Sequence, residues 1–229
     1  MNDAGKMDKD KAEYLEALHK ILTEQFKLKE GTEEYYMGAA GLKTNLDPES
    51  ALDDVERAIE LSPNNASYHL VKGKILLKLT KFLEAAREFL QATKLEERFA
   101  LAWAYYGFAI ALDLRRDDID TLTLGTILLS YHTAVQYDSK CAQAYHFRAM
   151  TYGGLLNDLP RFIKNANMAI RLYKQSKDYD SFGSDVSMGL QELTQIKNGM
   201  KWKLNLIYFL SWLLSFFKGY YKDIPLSSI

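Results

Sequence analysis

Apolar residues recur at helical spacing along most of this chain. Over residues 8–28 they fall at Tyr14, Leu15, Leu18, Ile21, Leu22 and Phe26. That three-and-four rhythm predicts an amphipathic helix, with Gly31 as its stop. From residue 32 the pattern returns every 34 residues: Ala51 recurs as Ala85, Ala58 as Ala92, His69 as Trp103 and Gly73 as Gly107. Each period holds two helical stripes, which predicts a helix pair that must stack on its neighbours to bury its apolar face. From Ala92 to Ala134 the step widens to 42, so an insertion falls near 115–123, around RRDDIDTL. A further helix is predicted around 184–199 from Val186, Met188, Leu190, Leu193 and Ile196. Only 13 Gly and 4 Pro punctuate 229 residues, too few turns for a sandwich or barrel, so the expected class is all-α.

The small and large positions within the repeat keep a fixed order. In 32–65 they are Tyr35, Ala39 and Leu42, then Ala51, Val55 and Ala58, with Pro63 at the close. In 66–99 they are His69, Gly73 and Leu76, then Ala85, Phe89 and Ala92, with Glu97 where a proline would close the unit. The third unit has Trp103, Gly107 and Ile110, followed after the insertion by Ile127, Tyr131 and Ala134. A weaker fourth has Tyr145, Ala149 and Tyr152, then Phe162, Ala166 and Ala169. This order resembles the tetratricopeptide repeat family over roughly residues 32–176, about four units. The resemblance implies a helix-turn-helix solenoid; the apolar pattern outside it is read as an N-terminal capping helix in 1–31, a C-terminal capping helix in 177–200 and an apolar tail over 201–229.

The resemblance also implies that the first helix of each pair lines a concave groove holding a partner peptide or helix. Carried over by position, the groove residues are Tyr36, Ala40 and Lys43; Leu70, Lys74, Leu77 and Lys78; Ala104, Phe108 and Ala111; and His146 and Met150. Lysines in the early half and apolar residues in the later half suit a segment with an acidic end and an apolar body. Members of the family that capture the acidic tails of heat-shock chaperones use a carboxylate clamp of Lys, Asn and Arg. Its positions here hold Tyr36, Ala40, Lys74, Ala104 and Phe108, so the clamp is absent.

Charge changes the picture because it is unevenly spread. The formal net charge is −1, which argues against a dedicated nucleic-acid binder. Residues 1–50 hold seven basic and eleven acidic residues, whereas 201–229 hold four basic and one acidic. A lone cysteine, Cys141, allows no internal disulfide framework and no multi-cysteine metal site. The N-terminal stretch MNDAGKMDKDKAEYLEALHK has no apolar core of a secretory signal and is too acidic for a transit peptide. A cytoplasmic setting is expected.

No chemistry stands out. His19, His69, His132 and His146 include no pair at i+3 or i+4, and neither HExxH nor CxxC occurs. Gly153-Gly154 lacks the GK[ST] of a phosphate cradle and is read as relaxing helix packing. Asp117, Asp118 and Asp120 are out of register for a calcium loop. No catalytic residue, metal or cofactor is expected, and the chain is read as non-enzymatic.

The run LNLIYFLSWLLSFF, residues 204–217, has no charge. As a helix it spans about 21 Å, against a hydrocarbon core of ~30 Å. Its apolar members include Leu206, Ile207, Phe209, Leu210, Trp212, Leu213, Leu214, Phe216 and Phe217, with Trp202 and Lys203 just before it. Three destinations are open: a membrane anchor or interfacial helix, a cap packed on the chain's own repeats, or a docking helix for a partner subunit. The resulting expectation is a protein-interaction scaffold or adaptor, tethered at the cytosolic face of a membrane by this tail. The alternative is a soluble subunit of a larger complex, whose tail packs on itself or on a partner.

Overall fold

The computed structural model describes residues 13–114 and 120–175, with 195, 198 and 199 as isolated helical positions. The capping helix expected over 177–200 therefore lies almost wholly outside the described residues. So do the tail, Trp202 through Phe217, and the insertion residues 115–119. The chain forms two compact units, Met1–Ser139 and Lys140–Ile229. Among the described residues there are helices and no strands, so the all-α class is what the structure shows.

In the first unit, α1 covers residues 13–20 and runs on through a π turn, Ile21–Gln25. It is followed by α2 (Glu33–Lys43), α3 (Pro48–Leu61), α4 (Ala66–Lys78), α5 (Phe82–Leu95), α6 (Ala100–Asp113) and α7 (Thr121–Tyr137). Each helix packs mainly on its neighbour in sequence, because short turns make consecutive helices antiparallel. The second unit contains α8 (Ala142–Met150), a π turn over Thr151–Leu155, and α9 (Leu159–Gln175), which packs against α8.

Side chains in the linkers set the helix starts. Thr32 accepts from Tyr35 N at 3.4 Å, Asp47 from Ser50 N at 3.1 Å with Pro48 following, and Asn65 from Ser67 N at 3.1 Å. Asp120 caps α7 by accepting from Leu122 N and Thr123 N at 2.8 and 2.9 Å. Hydrogen bonds from the Thr123 hydroxyl and the backbone N–H groups hold its carboxyl below the usual carboxylate range.

The expected first helix is corrected at its C-terminal end. The π turn adds one residue to a turn and rotates the stripe, so Phe26 is 60% exposed. Lys27 adopts a left-handed φ of 57°, and Leu28 N donates to Leu22 O at 2.9 Å. Leu28 thereby joins Leu18, Leu22 and Ala39 in the core where α1 meets α2. Gly153 and Gly154 are corrected in the same way: they sit in the π turn after α8, closed by Asp158 N donating to Tyr152 O at 2.8 Å.

The small-against-large order of the repeat has a direct packing cause. A Cβ on Gly73 would lie 2.5 Å from Cε1 of Phe89, a ring with no exposed surface. At Gly107 it would lie 3.0 Å from Tyr131 Cε1 and from Ile127 O. Phe89 also stacks on Tyr105 at 5.2 Å between centroids, joining the α4–α5 pair to α6. Gly73→Ala would gain about 1 kcal/mol of helix propensity. It would lose up to about 3 kcal/mol by forcing the ring aside, so a net destabilisation of about 1–2 kcal/mol is expected in denaturant titrations. Gly73→Ala combined with Phe89→Leu should recover most of it; a more stable single variant would contradict this packing.

Candidate functional site

The residues expected to line a groove separate by burial. In the first unit Tyr36, Lys74, Leu77 and Phe108 are half-buried and Lys78 is exposed. They lie on α2, α4 and α6, the first helices of successive pairs. Lys74 Nζ stands 5.7 Å from the Tyr105 ring centroid, and Lys78 Nζ donates to Asn45 Oδ1 at 2.6 Å. The Arg57 guanidinium covers the Tyr36 ring at 5.7 Å. Along α4, Leu70, Lys74, Leu77 and Lys78 follow i, i+4, i+7, i+8 spacing, which keeps them on one side.

Four residues expected on this face are corrected. Lys43 is 8% exposed, and its Nζ donates to Asp54 Oδ2 at 2.6 Å. Its charge is spent on holding α2 to α3, because Asp54 is buried as well and a lone buried charge would be costly. Leu70 is buried, and Ala40 and Ala104 have no exposed surface. Small residues at those places let neighbouring helices approach and so cannot touch a partner.

In the second unit His146 is buried rather than presented. Its Nδ1 lies 3.1 Å from the Tyr173 hydroxyl, and its ring meets the Tyr173 ring edge-on at 6.0 Å. Burial pushes the imidazole down to about 4. Met150 is half-buried against the core of Ala149, Phe162, Ala166 and Ala169.

Two comparisons bear on this arrangement. TTC0263, a thermophilic TPR protein of Thermus thermophilus, superposes with a TM-score of 0.58 at 17% identity, over 71% of this chain and 81% of that one. The fold is tetratricopeptide-like. MamA superposes with a TM-score of 0.51 at 15% identity, over 78% of this chain and 99% of that one. No family model matches the sequence, and no curated protein does.

Within this tetratricopeptide-like frame the structure adds an ion network with no local sequence signal. Lys72 Nζ lies 3.0 Å from Glu56 and 3.2 Å from Glu88, and Glu88 lies 2.8 Å from His69 Nδ1. His69 Nε2 is 3.2 Å from the Pro63 carbonyl. Desolvation works to lower the Lys72 ammonium, but its bonds to Glu56 and Glu88 prevail and raise it. The network ties α3, α4 and α5, and the partners of its ion pairs stand 16 or more positions apart, so no motif could announce them. Among the described residues no group of three or more His, Cys, Asp or Glu is placed to hold a metal, and no helix is long and apolar enough to cross a membrane.

Proposed function

We propose that this chain is a non-enzymatic interaction scaffold that holds a partner peptide or helix on the first helices of its pairs. In this reading residues 1–31 cap the repeats of 32–176 and 177–200 close them. The observation that carries it is the mixed strip of Tyr36, Lys74, Leu77, Lys78 and Phe108. Aromatic, aliphatic and cationic side chains there retain surface while Ala40, Leu70 and Ala104 on the same helices are buried. Such a strip suits a segment with an apolar body and an acidic end. Lys74→Glu with Lys78→Glu should reduce capture of affinity-purified partners roughly tenfold, with unchanged helix content. Unaltered partners from a folded double variant would refute the groove.

The tail extends the proposal. An uncharged run over 204–217, with Lys201 and Lys203 before it and Lys218 and Lys222 after it, has the composition of a segment that seats in a lipid interface with lysines at its edges. The scaffold would then work from a membrane surface. The competing reading, a subunit whose tail packs on its own repeats or on a partner, predicts no binding to vesicles.

A further inference from the structure

The near-neutral total conceals two oppositely charged units. Met1–Ser139 holds seventeen Lys and Arg against twenty-four Asp and Glu, while Lys140–Ile229 holds twelve against six. The excess in the second unit is concentrated on α9, LPRFIKNANMAIRLYKQ, which has four cations and no carboxylate. Its inner side is Phe162, Asn165, Ala166, Ala169, Leu172 and Tyr173, all buried. Arg161, Lys164, Arg171 and Lys174 are exposed. Their spacing of three, seven and three residues sets them along the opposite side over about 20 Å.

Among the described residues these cations have few contacts, one being the Arg161 guanidinium 5.5 Å from the Tyr152 ring centroid. Arg161 meets Asp158 at 3.3 Å, and Arg171 Nη2 meets Met168 Sδ at 3.0 Å. Among the described residues no carboxylate meets Lys164, Arg171 or Lys174. The contrast is Lys72 on α4, which two glutamates answer. A helix face that concentrates one sign of charge, with three of its four cations meeting no described carboxylate, is suited to a surface of the opposite sign.

We infer that the outward face of α9 rests on an anionic lipid surface. Two features favour lipid over an acidic protein. Beside its cations the face offers only the half-buried Ile163, Met168 and Ile170, all packed against the core, whereas a protein interface needs a fully apolar centre. Lipid headgroups diffuse to meet fixed cations and require no such centre. The uncharged run 204–217 follows α9 in the sequence, and stable membrane attachment takes two signals, such as an apolar insertion and a basic patch. The choice of lipid rests on the tether reading; the groove reading is not involved.

The test is co-flotation of the full chain with vesicles of phosphatidylcholine alone and of phosphatidylcholine mixed with phosphatidylserine. The native chain should prefer the mixed vesicles. Lys164→Gln, Arg171→Gln and Lys174→Gln together should weaken that binding on the order of 100-fold, since each cation near the surface contributes about fivefold. Molar salt, which shortens the Debye length from ~8 Å to ~3 Å, should do the same. Lys164→Gln with Lys174→Gln keeps the Arg171–Met168 contact and should cost roughly 30-fold. Circular dichroism confirms that α9 persists in both variants. Equal binding to both vesicles would overturn the role of α9 and leave the tether standing, whereas binding to neither would overturn both. A preference for phosphatidylserine that survives the triple substitution would also overturn it. So would a triple substitution that abolishes capture of polyglutamate, or self-association of the chain, while sparing vesicle binding.

Discussion

Replacing Lys43 by alanine is expected to cost about 3–5 kcal/mol of stability, read from chemical denaturation. Asp54 is 6% exposed and Lys43 Nζ lies 2.6 Å from it. Removing the ammonium leaves a buried carboxylate with no countercharge. Asp54→Ala should cost a similar amount, for it strands the ammonium instead. Lys43→Met with Asp54→Leu removes both charges and fills the space, so its stability should return close to that of the native chain or exceed it. That double variant also separates structure from recognition. If Lys43 serves only the α2–α3 contact, the folded double variant keeps its partners, whereas Lys74→Glu with Lys78→Glu loses them. A single Lys43→Ala variant within about 1 kcal/mol of native would refute the buried pair.

The second large effect is on pH. His146 is buried against Tyr173 and titrates at about 4 when folded, against 6.5 when unfolded. As pH falls below 6.5 the unfolded chain takes up the proton first, so stability drops. The contribution is complete above about pH 6.5, is lost progressively towards pH 4, and amounts to about 3 kcal/mol. His146→Phe keeps a ring at the site and removes the titration. The difference in unfolding free energy between native and variant should therefore depend on pH across this window and level off outside it. Carboxylates that titrate in both proteins cancel in that difference. A flat difference from pH 7 to pH 4 would show that the imidazole is already solvated or charged in the folded state.

The repeat was legible in the sequence because its physics is local. Gly73 and Gly107 recur one period apart, and each admits a large side chain from the following helix, Phe89 and Tyr131. Caps such as Thr32, Asp47 and Asn65 sit beside the helices they start. The helix ends were less legible. Phe26 continues the apolar rhythm of α1, yet the π turn excludes it and brings in Leu28, since a one-residue insertion rotates the stripe without leaving a mark in composition. Of the groove positions, Tyr36, Lys74, Leu77, Lys78 and Phe108 keep surface. Lys43, Leu70 and His146 do not, since burial at a repeat position depends on what the adjoining helix supplies. The cations of α9 do leave a mark in the sequence: seventeen residues without a carboxylate.

By itself the sequence determined the class of fold, the pairing of helices and the uneven charge, because helix periodicity, capping and side-chain volume act over a few residues or one repeat. Only the tertiary structure decided which charges are spent and which are offered. Lys43, Lys72 and Lys164 read alike in a string of letters. One is locked to Asp54, one bridges Glu56 and Glu88, and one faces outward with no described carboxylate near it. What separates them is the distance to residues far away in the chain, and Coulomb interactions follow distance in space and burial, not position in sequence.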